Sequence, residues 1–158
     1  MANQSPASAH NSSEITRYLA EWTHHWSTDD LDPEVRQAAR HCLLDWMGVT
    51  LGGIDDESAS IVRAEVLEQG GADHATIVGT PYRTGIMNAA LANGTAGHAL
   101  DFDDVHDWLT GHPTVVSMTA LLALAEREGF SGRHLIDAFI VAVEVACRVG
   151  RYVAPSHY

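Results

Sequence analysis

The stretch HALDFDDVHDWLTGHPT, residues 98–114, places four aspartates and three histidines in seventeen positions. Carboxylates and imidazoles at this density suit three kinds of chemistry. They can coordinate a metal ion, bind a diphosphate through a bridging cation, or transfer protons on an organic substrate. A solvated polar loop has the same composition, so the elements around the stretch must decide between these interpretations.

Metal binding is the first alternative, because all seven of these aspartates and histidines are competent ligands. Structural zinc prefers cysteine and histidine sets, whereas Mg²⁺ and Mn²⁺ take carboxylates. The run DDVHD, residues 103–107, fits the DDxxD pattern with which all-helical prenyl-transferring enzymes bind Mg²⁺-diphosphate. Such enzymes also need a second acidic motif and basic residues for the diphosphate, and the sequence shows neither. A magnesium-diphosphate enzyme therefore remains only a third hypothesis.

Proton transfer is the second alternative, and it depends on how far the preceding helix extends. If that helix continues to about Asp104, then His98, Asp101 and Val105 lie along one stripe, three and four residues apart. Phe102 then points away from the stripe and into packing. This geometry would align an imidazole with a carboxylate.

A further imidazole precedes the next helix. His112 comes directly before Pro113, and proline is favoured at the first position of a helix. The sequence thus places His112 at the start of a rigid element, which suits a general acid or base. Such a group contributes a factor of typically about 10²–10⁴ in rate.

Six helical segments are predicted from hydrophobic periodicity and capping residues. In the second segment, Asp32 is the predicted cap, Pro33 takes the first helical position, and a glycine pair ends the helix. The segments cover residues 13–27, 32–53, 57–71, 84–102, 113–129 and 132–153. Residues 75–78 form the only β-like run, so the predicted fold class is all-α. Residues 1–12 are predicted to be a disordered tail, and residues 13–158 a helical domain.

The fourth segment is rich in alanine and glycine. Gly94 and Gly97 each cost about 1 kcal/mol of helix stability relative to alanine. We therefore expect them to provide space for close packing or for a ligand.

The fifth and sixth segments are apolar on nearly every side, as helices in the centre of a large core are. Six helices in a chain of 158 residues can hardly cover two of them completely. We expect the missing cover to come from more chain or from a second subunit.

The composition excludes several classes of partner. Nine Lys+Arg against 21 Asp+Glu give a formal charge of −12, and no basic patch is present, so nucleic acid and membrane surfaces are not expected partners. The amino terminus lacks the basic and apolar regions of a signal peptide, and no apolar run is long enough to span a bilayer. Two cysteines in apolar helical surroundings fit a reduced, cytoplasmic location.

The quoted motifs resemble a known family. The runs NAALANGTAGHALDFDDVH and GHPTVVSMTALLALAEREGFSGRHLIDAFIVAVEVACRVGR are similar to the amino-terminal helical domain of the MmgE/PrpD family. The earlier runs LDPEVRQAARHCLLDWMGVTLGG and ATIVGTPYRTGIMNAALANG fit the same pattern. The resemblance covers roughly residues 15–158. The family includes 2-methylcitrate dehydratase, cis-aconitate decarboxylase and iminodisuccinate epimerase.

The resemblance implies a helical domain with a smaller α+β lid domain, assembled as a homodimer. It implies proton removal next to a carboxylate of a small polycarboxylate, without a metal or another cofactor, followed by loss of water, loss of carbon dioxide or reprotonation. By position, the family's active-site aspartate falls on Asp101 and its HP histidine on His112. Asp104 and His106 are secondary candidates.

Two departures from the family pattern leave the reaction open. Several members have threonine where this chain has Val105, and valine cannot donate that hydrogen bond to a substrate. Family chains are also much longer, so we expect a further catalytic histidine, the lysines that bind carboxylates and the lid to be supplied from outside these residues. The chain alone is then weakly active or inactive. A non-catalytic remnant or subunit that dimerises or pairs with another chain remains the main alternative.

Overall fold

The structure, a computed structural model, describes residues 12–27, 29, 31–154 and 156. It divides into a unit Met1–Asp30 and a unit Leu31–Tyr158. The first unit contains helix α1 (Ser12–His25), and the ring of Trp22 on this helix lies 5.8 Å from that of Trp26, which follows it. The predicted tail of residues 1–12 lies outside the described residues, apart from the residue that begins α1.

The second unit is built from helices with one small hairpin, and the all-α prediction is confirmed. Its elements are α2 (Pro33–Gly53), α3 (Glu57–Gln69), β1 (Ala75–Thr76), β2 (Arg83–Thr84), α4 (Ile86–His98), α5 (Pro113–Glu128) and α6 (Gly132–Val153). The β-like run of residues 75–78 supplies only β1. It pairs antiparallel with β2, a strand that the sequence pattern did not predict.

Local capping chemistry explains the helix ends that the sequence predicted well. The Asp32 carboxylate accepts a hydrogen bond of 2.9 Å from the Glu34 backbone N–H and so caps α2. Gly129 ends α5 in the left-handed conformation, with φ +69°. The Ser131 hydroxyl accepts from the His134 backbone N–H at the start of α6. These signals lie within a few residues of the ends they set.

Helix α4 packs against α2, α3, α5 and both strands, and it carries the polar cluster at its carboxyl end. Close packing with α2 requires glycine near that end. A Cβ at Gly97 would lie 2.9 Å from Trp46 Nε1 and 3.0 Å from Thr50 Oγ1. At Gly94 the nearest atom would be Thr119 Cγ2, at an ordinary 3.6 Å. Gly97 therefore provides space for close packing, as predicted, and side chains of α2 occupy that space.

Two glycines of α2 offer a matched test of this packing. A Cβ at Gly53 would collide with the carbonyl oxygen of Ala96 on α4, whereas one at Gly48 would meet no atom within 4 Å. We expect Gly53→Ala to lower the free energy of unfolding by about 1–3 kcal/mol, as overpacking does. Gly48→Ala should raise it by up to about 1 kcal/mol, because alanine favours the helix. Urea unfolding measures both, and equal midpoints would contradict this packing.

Helices α5 and α6 bury one side and leave apolar side chains on the other. Met118 and Phe139 lie in the core, while Val116 is 65% and Tyr152 71% exposed. Among the described residues, no helix combines the length and the apolar character that crossing a bilayer demands.

Candidate functional site

Helix α4 ends earlier than predicted, and this changes the geometry of the polar cluster. Its last residue is His98, and Asp101 follows with φ +54°, a left-handed conformation that aspartate tolerates better than most residues. The predicted helix of residues 84–102 is therefore too long at its carboxyl end, and the condition that it continues to about Asp104 is not met. Val105 shares no helical stripe with His98 and Asp101 and is 68% exposed. Phe102 is also 74% exposed, so its predicted packing is wrong as well.

A short closed turn delivers the second imidazole to the cluster. The backbone N–H of His106 donates to the Gly111 carbonyl at 3.0 Å, and that of Thr110 donates to the His106 carbonyl at 2.8 Å. The chain reverses across this turn. His112 consequently lies beside residues 101–104, at the N-cap of α5.

A buried carboxylate joins the two imidazoles. The side chain of Asp103 is only 1% exposed. His98 Nδ1 lies 2.9 Å from Asp103 Oδ1, and because a carboxylate only accepts, this nitrogen donates. His112 Nδ1 lies 3.3 Å from Asp103 Oδ2 and also 3.3 Å from the backbone carbonyl of the same residue. Asp103 thus fixes the orientation of both rings.

The opposite nitrogen of His112 faces a second carboxylate. Its Nε2 lies 3.5 Å from Asp101 Oδ1, and its ring centroid lies 4.6 Å from that of His98. A neutral imidazole carries one N–H, so it can donate to both carboxylates only when it is protonated. The structure therefore brings Asp101 and His112 together and gives the imidazole two positions at which to hold a proton.

The two secondary candidates, Asp104 and His106, make hydrogen bonds to backbone and side-chain groups outside the quartet. The carboxylate of Asp104 accepts hydrogen bonds from the Thr114 backbone N–H at 3.2 Å and from its hydroxyl at 2.6 Å. It therefore caps the first turn of α5. Burial, and then the negative charge of Asp104, raise the pKa of the Cys42 thiol. His106 Nδ1 accepts a hydrogen bond from the Trp108 backbone N–H at 3.2 Å.

Replacing Asp104 by alanine should lower the stability of the folded chain, without a direct effect on proton transfer. The loss of two hydrogen bonds at a helix start should lower the free energy of unfolding by about 0.5–2 kcal/mol. Asp107→Ala, at an exposed aspartate of the same loop, is the matched control and should change it by less than about 0.5 kcal/mol. Thermal and urea unfolding compare the variants, and equal stability would show that the cap is not needed.

A cavity of about 830 Å³ opens beside the two imidazoles. It is lined by residues of α3, α4 and α5 and by the N-cap of α5: Ser58, Ala90, Leu91, Gly94, Thr95, His98, Ala99, His112, Val115, Val116 and Thr119. This volume fits a small organic molecule. None of the described lining residues is an arginine or a lysine.

Four side chains of the site also have the geometry of a metal site. His98, Asp101, Asp103 and His112, hereafter the His–Asp quartet, each offer one ligand atom, and these atoms lie within 4.8 Å of one another. Among the described residues it is the one such group found, and the other two aspartates of DDVHD are not part of it. The run therefore does not act as the three-aspartate motif it resembles.

Sequence reasoning left two members of the quartet out of the predicted site. Asp103 was recognised only as a competent ligand, and His98 as a ligand or as part of a stripe with Asp101 on a longer helix. Their contact spans five residues across a helix end, a spacing that no helical or strand periodicity predicts. The signal that could have indicated this turn is Asp101, which lies between them, because aspartate tolerates the left-handed conformation better than most residues.

The chain has relatives among known proteins. The sequence profile described as the MmgE/PrpD N-terminal domain matches residues 17–158, which is nearly the whole chain. The chain belongs to the MmgE/PrpD family. Human cis-aconitate decarboxylase is 32% identical over 140 residues, covering 85% of this chain and 29% of that protein. The cis-aconitate decarboxylase of Aspergillus terreus is 28% identical over 167 residues, covering 99% of this chain and 33% of that protein.

A third MmgE/PrpD relative has the same partial overlap. A cis-aconitate decarboxylase-like protein of Aspergillus oryzae is 27% identical over 143 residues, covering 86% of this chain and 30% of that protein. The chain thus spans about a third of the length of the curated relatives it matches. These matches identify a lyase-like family member.

Proposed function

We propose that this chain provides the proton-transfer part of a metal-independent lyase or isomerase that acts on a small di- or tricarboxylate. The observation that carries the proposal is the position of His112, between two carboxylates and on the wall of the cavity. The relatives named as cis-aconitate decarboxylases support this substrate class.

The proposed reaction begins when neutral His112 takes a proton through Nε2 from the carbon next to a substrate carboxylate. Asp103 stabilises the resulting imidazolium through Nδ1, and Asp101, beside Nε2, orients the ring or holds the proton. The electron pair left on carbon can expel a neighbouring hydroxyl, which leaves as water once protonated. Alternatively, the carbon takes a proton back on its other face. In a decarboxylation no proton is removed first. The bond to the departing carbon dioxide breaks, its electron pair stays on the substrate carbon, and His112, which in this case starts as the imidazolium, protonates that substrate carbon.

The cavity needs additional positive charge to hold such a substrate. A polycarboxylate repels the quartet's own carboxylates, and none of the described lining residues is a permanent cation. Leu91 and Val116 at the cavity are 55% and 65% exposed, so an apolar surface surrounds the opening. We propose that a further polypeptide, or a second copy in a homodimer, covers this surface and brings the cations. The chain alone is then weakly active or inactive.

We also place the enzyme in the cytoplasm. Cys42 and Cys147 are both free thiols, and reduced cysteines are typical of that compartment.

A non-catalytic subunit is the second candidate function. The absence of arginine and lysine from the described cavity lining favours it, because a binding partner could carry the complete site. The two hypotheses differ in whether the partner needs His112 for turnover.

Solvent deuterium exchange tests the proposal directly. The assembled enzyme is this chain together with a polypeptide that supplies the other two thirds of the relatives' length. It is incubated in D₂O with citrate-like and aspartate-derived acids and followed by NMR. We expect deuterium at the carbon next to a carboxylate of at least one acid, and no exchange with either polypeptide alone. Exchange by the second polypeptide alone would establish the non-catalytic alternative, and no exchange with any acid would refute the proposed reaction.

A further inference from the structure

We propose that the His–Asp quartet binds one Zn²⁺ ion, and that the bound ion blocks proton transfer by His112. The four ligand atoms come from three neighbouring places: the end of α4, the loop after it, and the N-cap of α5. This inference goes beyond the proposed reaction, which uses the same side chains without a metal.

Three members of the quartet, His98, Asp103 and His112, lie at the distances of a small coordination shell. Tetrahedral zinc binds nitrogen and oxygen at about 2.0–2.2 Å, which separates neighbouring ligand atoms by about 3.4 Å. His98 Nδ1 and Asp103 Oδ1 are 2.9 Å apart, and His112 Nδ1 and Asp103 Oδ2 are 3.3 Å apart. The Asp101 carboxylate faces the other nitrogen of that ring, with Oδ1 3.5 Å from His112 Nε2, and one ligand atom from each of the four side chains lies within 4.8 Å of the other three. The exposed Asp101 side chain would have to rotate toward an ion held by the other three groups.

The ligand types select zinc over magnesium. Two imidazoles and two carboxylates form a mixed nitrogen and oxygen set, which suits Zn²⁺. Mg²⁺ demands octahedral oxygen ligands and keeps several waters, so two of the four ligands here are unsuitable for it.

The buried charge of Asp103 gives an independent reason for a cation here. Its side chain is 1% exposed, and a buried carboxylate is costly unless positive charge or donors surround it. The partners of this carboxylate among the described residues are the two imidazoles, which donate hydrogen bonds but carry positive charge only when protonated. A divalent cation between the three groups would supply the charge. The formal charge of −12 further favours cation binding.

The quartet is open enough for an ion to reach it. The side chains of Asp101 and His98 are 78% and 50% exposed, whereas Asp103 forms the floor. Coordination would use a nitrogen lone pair of His112, and the imidazole could then no longer accept a substrate proton. The expected effect of zinc is therefore inhibition.

The test titrates the 158-residue chain with Zn²⁺ by calorimetry and with Co²⁺ by visible absorption, which reports tetrahedral coordination. We expect one ion per chain and no saturable binding of Mg²⁺. His98→Gln and Asp101→Asn each remove one exposed ligand and should raise the Kd for Zn²⁺ at least about 10-fold. Even the loss of a group that only supports a ligand lowers metal affinity by about this factor. His74→Gln, at an exposed histidine outside the quartet, is the control and should leave the Kd unchanged.

Two results would overturn this inference. One is an unchanged Kd in both quartet variants. The other is an equal loss of affinity in His74→Gln, which would assign the ion to surface histidines. The result does not depend on the proposed reaction, because titration needs no substrate. Conversely, deuterium exchange by the assembled enzyme in the presence of a chelator tests that reaction whether or not zinc binds.

Discussion

Replacing His112 by alanine is expected to lower turnover of the assembled enzyme by about 10²–10⁴-fold, the usual contribution of a general acid or base. The imidazole lies on the cavity wall, and both of its nitrogens face carboxylates that can stabilise a transferred proton. No other imidazole of the described chain both lines this cavity and contacts two aspartates. A water molecule is expected to be a poor substitute for the imidazole, because it is not held in a fixed position and is not stabilised once it is protonated.

The variant should remain folded, which makes the measurement interpretable. His112 occupies the N-cap of α5 but makes no capping hydrogen bond through its side chain. The cap is supplied by Asp104 through Thr114, and Pro113 fixes the first turn. Circular dichroism should therefore match the unmodified chain, and urea unfolding should show only the loss of the contact with buried Asp103, about 1–3 kcal/mol. Steady-state rates are compared with those of His74→Ala, a remote histidine. Near-normal turnover by the alanine variant would remove this residue from the mechanism.

The helices could be predicted because their ends depend on nearby residues. Asp32 acts on a backbone group two positions away, so a capping pattern located the start of α2. The contacts of Gly129 and Ser131 at the end of α5 and the start of α6 are equally local. Hydrophobic periodicity then sufficed for the fold class. The hairpin of β1 and β2 escaped prediction because strands of two residues are too short to show a period.

The site was predictable only in part, because its geometry depends on a break in the chain direction. The composition after His98 is compatible with a longer α4. The chain changes direction at Asp101, which is left-handed, and the side chain of Asp103 is then buried. Two residues assigned by family resemblance, Asp101 and His112, are indeed brought together. The carboxylate that holds both imidazoles, Asp103, follows from tertiary contacts alone.

Replacing Asp101 by asparagine is the second large effect expected, a loss of turnover of about 10²-fold or more in the assembled enzyme. Asparagine has nearly the same shape, and it tolerates the left-handed φ of +54° as aspartate does. The backbone turn should therefore persist. What changes is the charge 3.5 Å from His112 Nε2, where the carboxylate can accept the proton that the imidazole holds and a neutral amide cannot.

Asp107→Asn is the matched control, because it makes the same chemical change at an exposed position of the same loop outside the quartet. Its turnover should stay within about twofold of the unmodified enzyme, since surface changes away from a site have small effects. The separation of kcat from KM adds a second readout. A role in proton transfer lowers kcat, whereas a role confined to substrate binding raises KM with kcat unchanged. A change in KM alone would therefore reassign Asp101 from proton transfer to binding, and equal activity of both variants would show that its charge is not used.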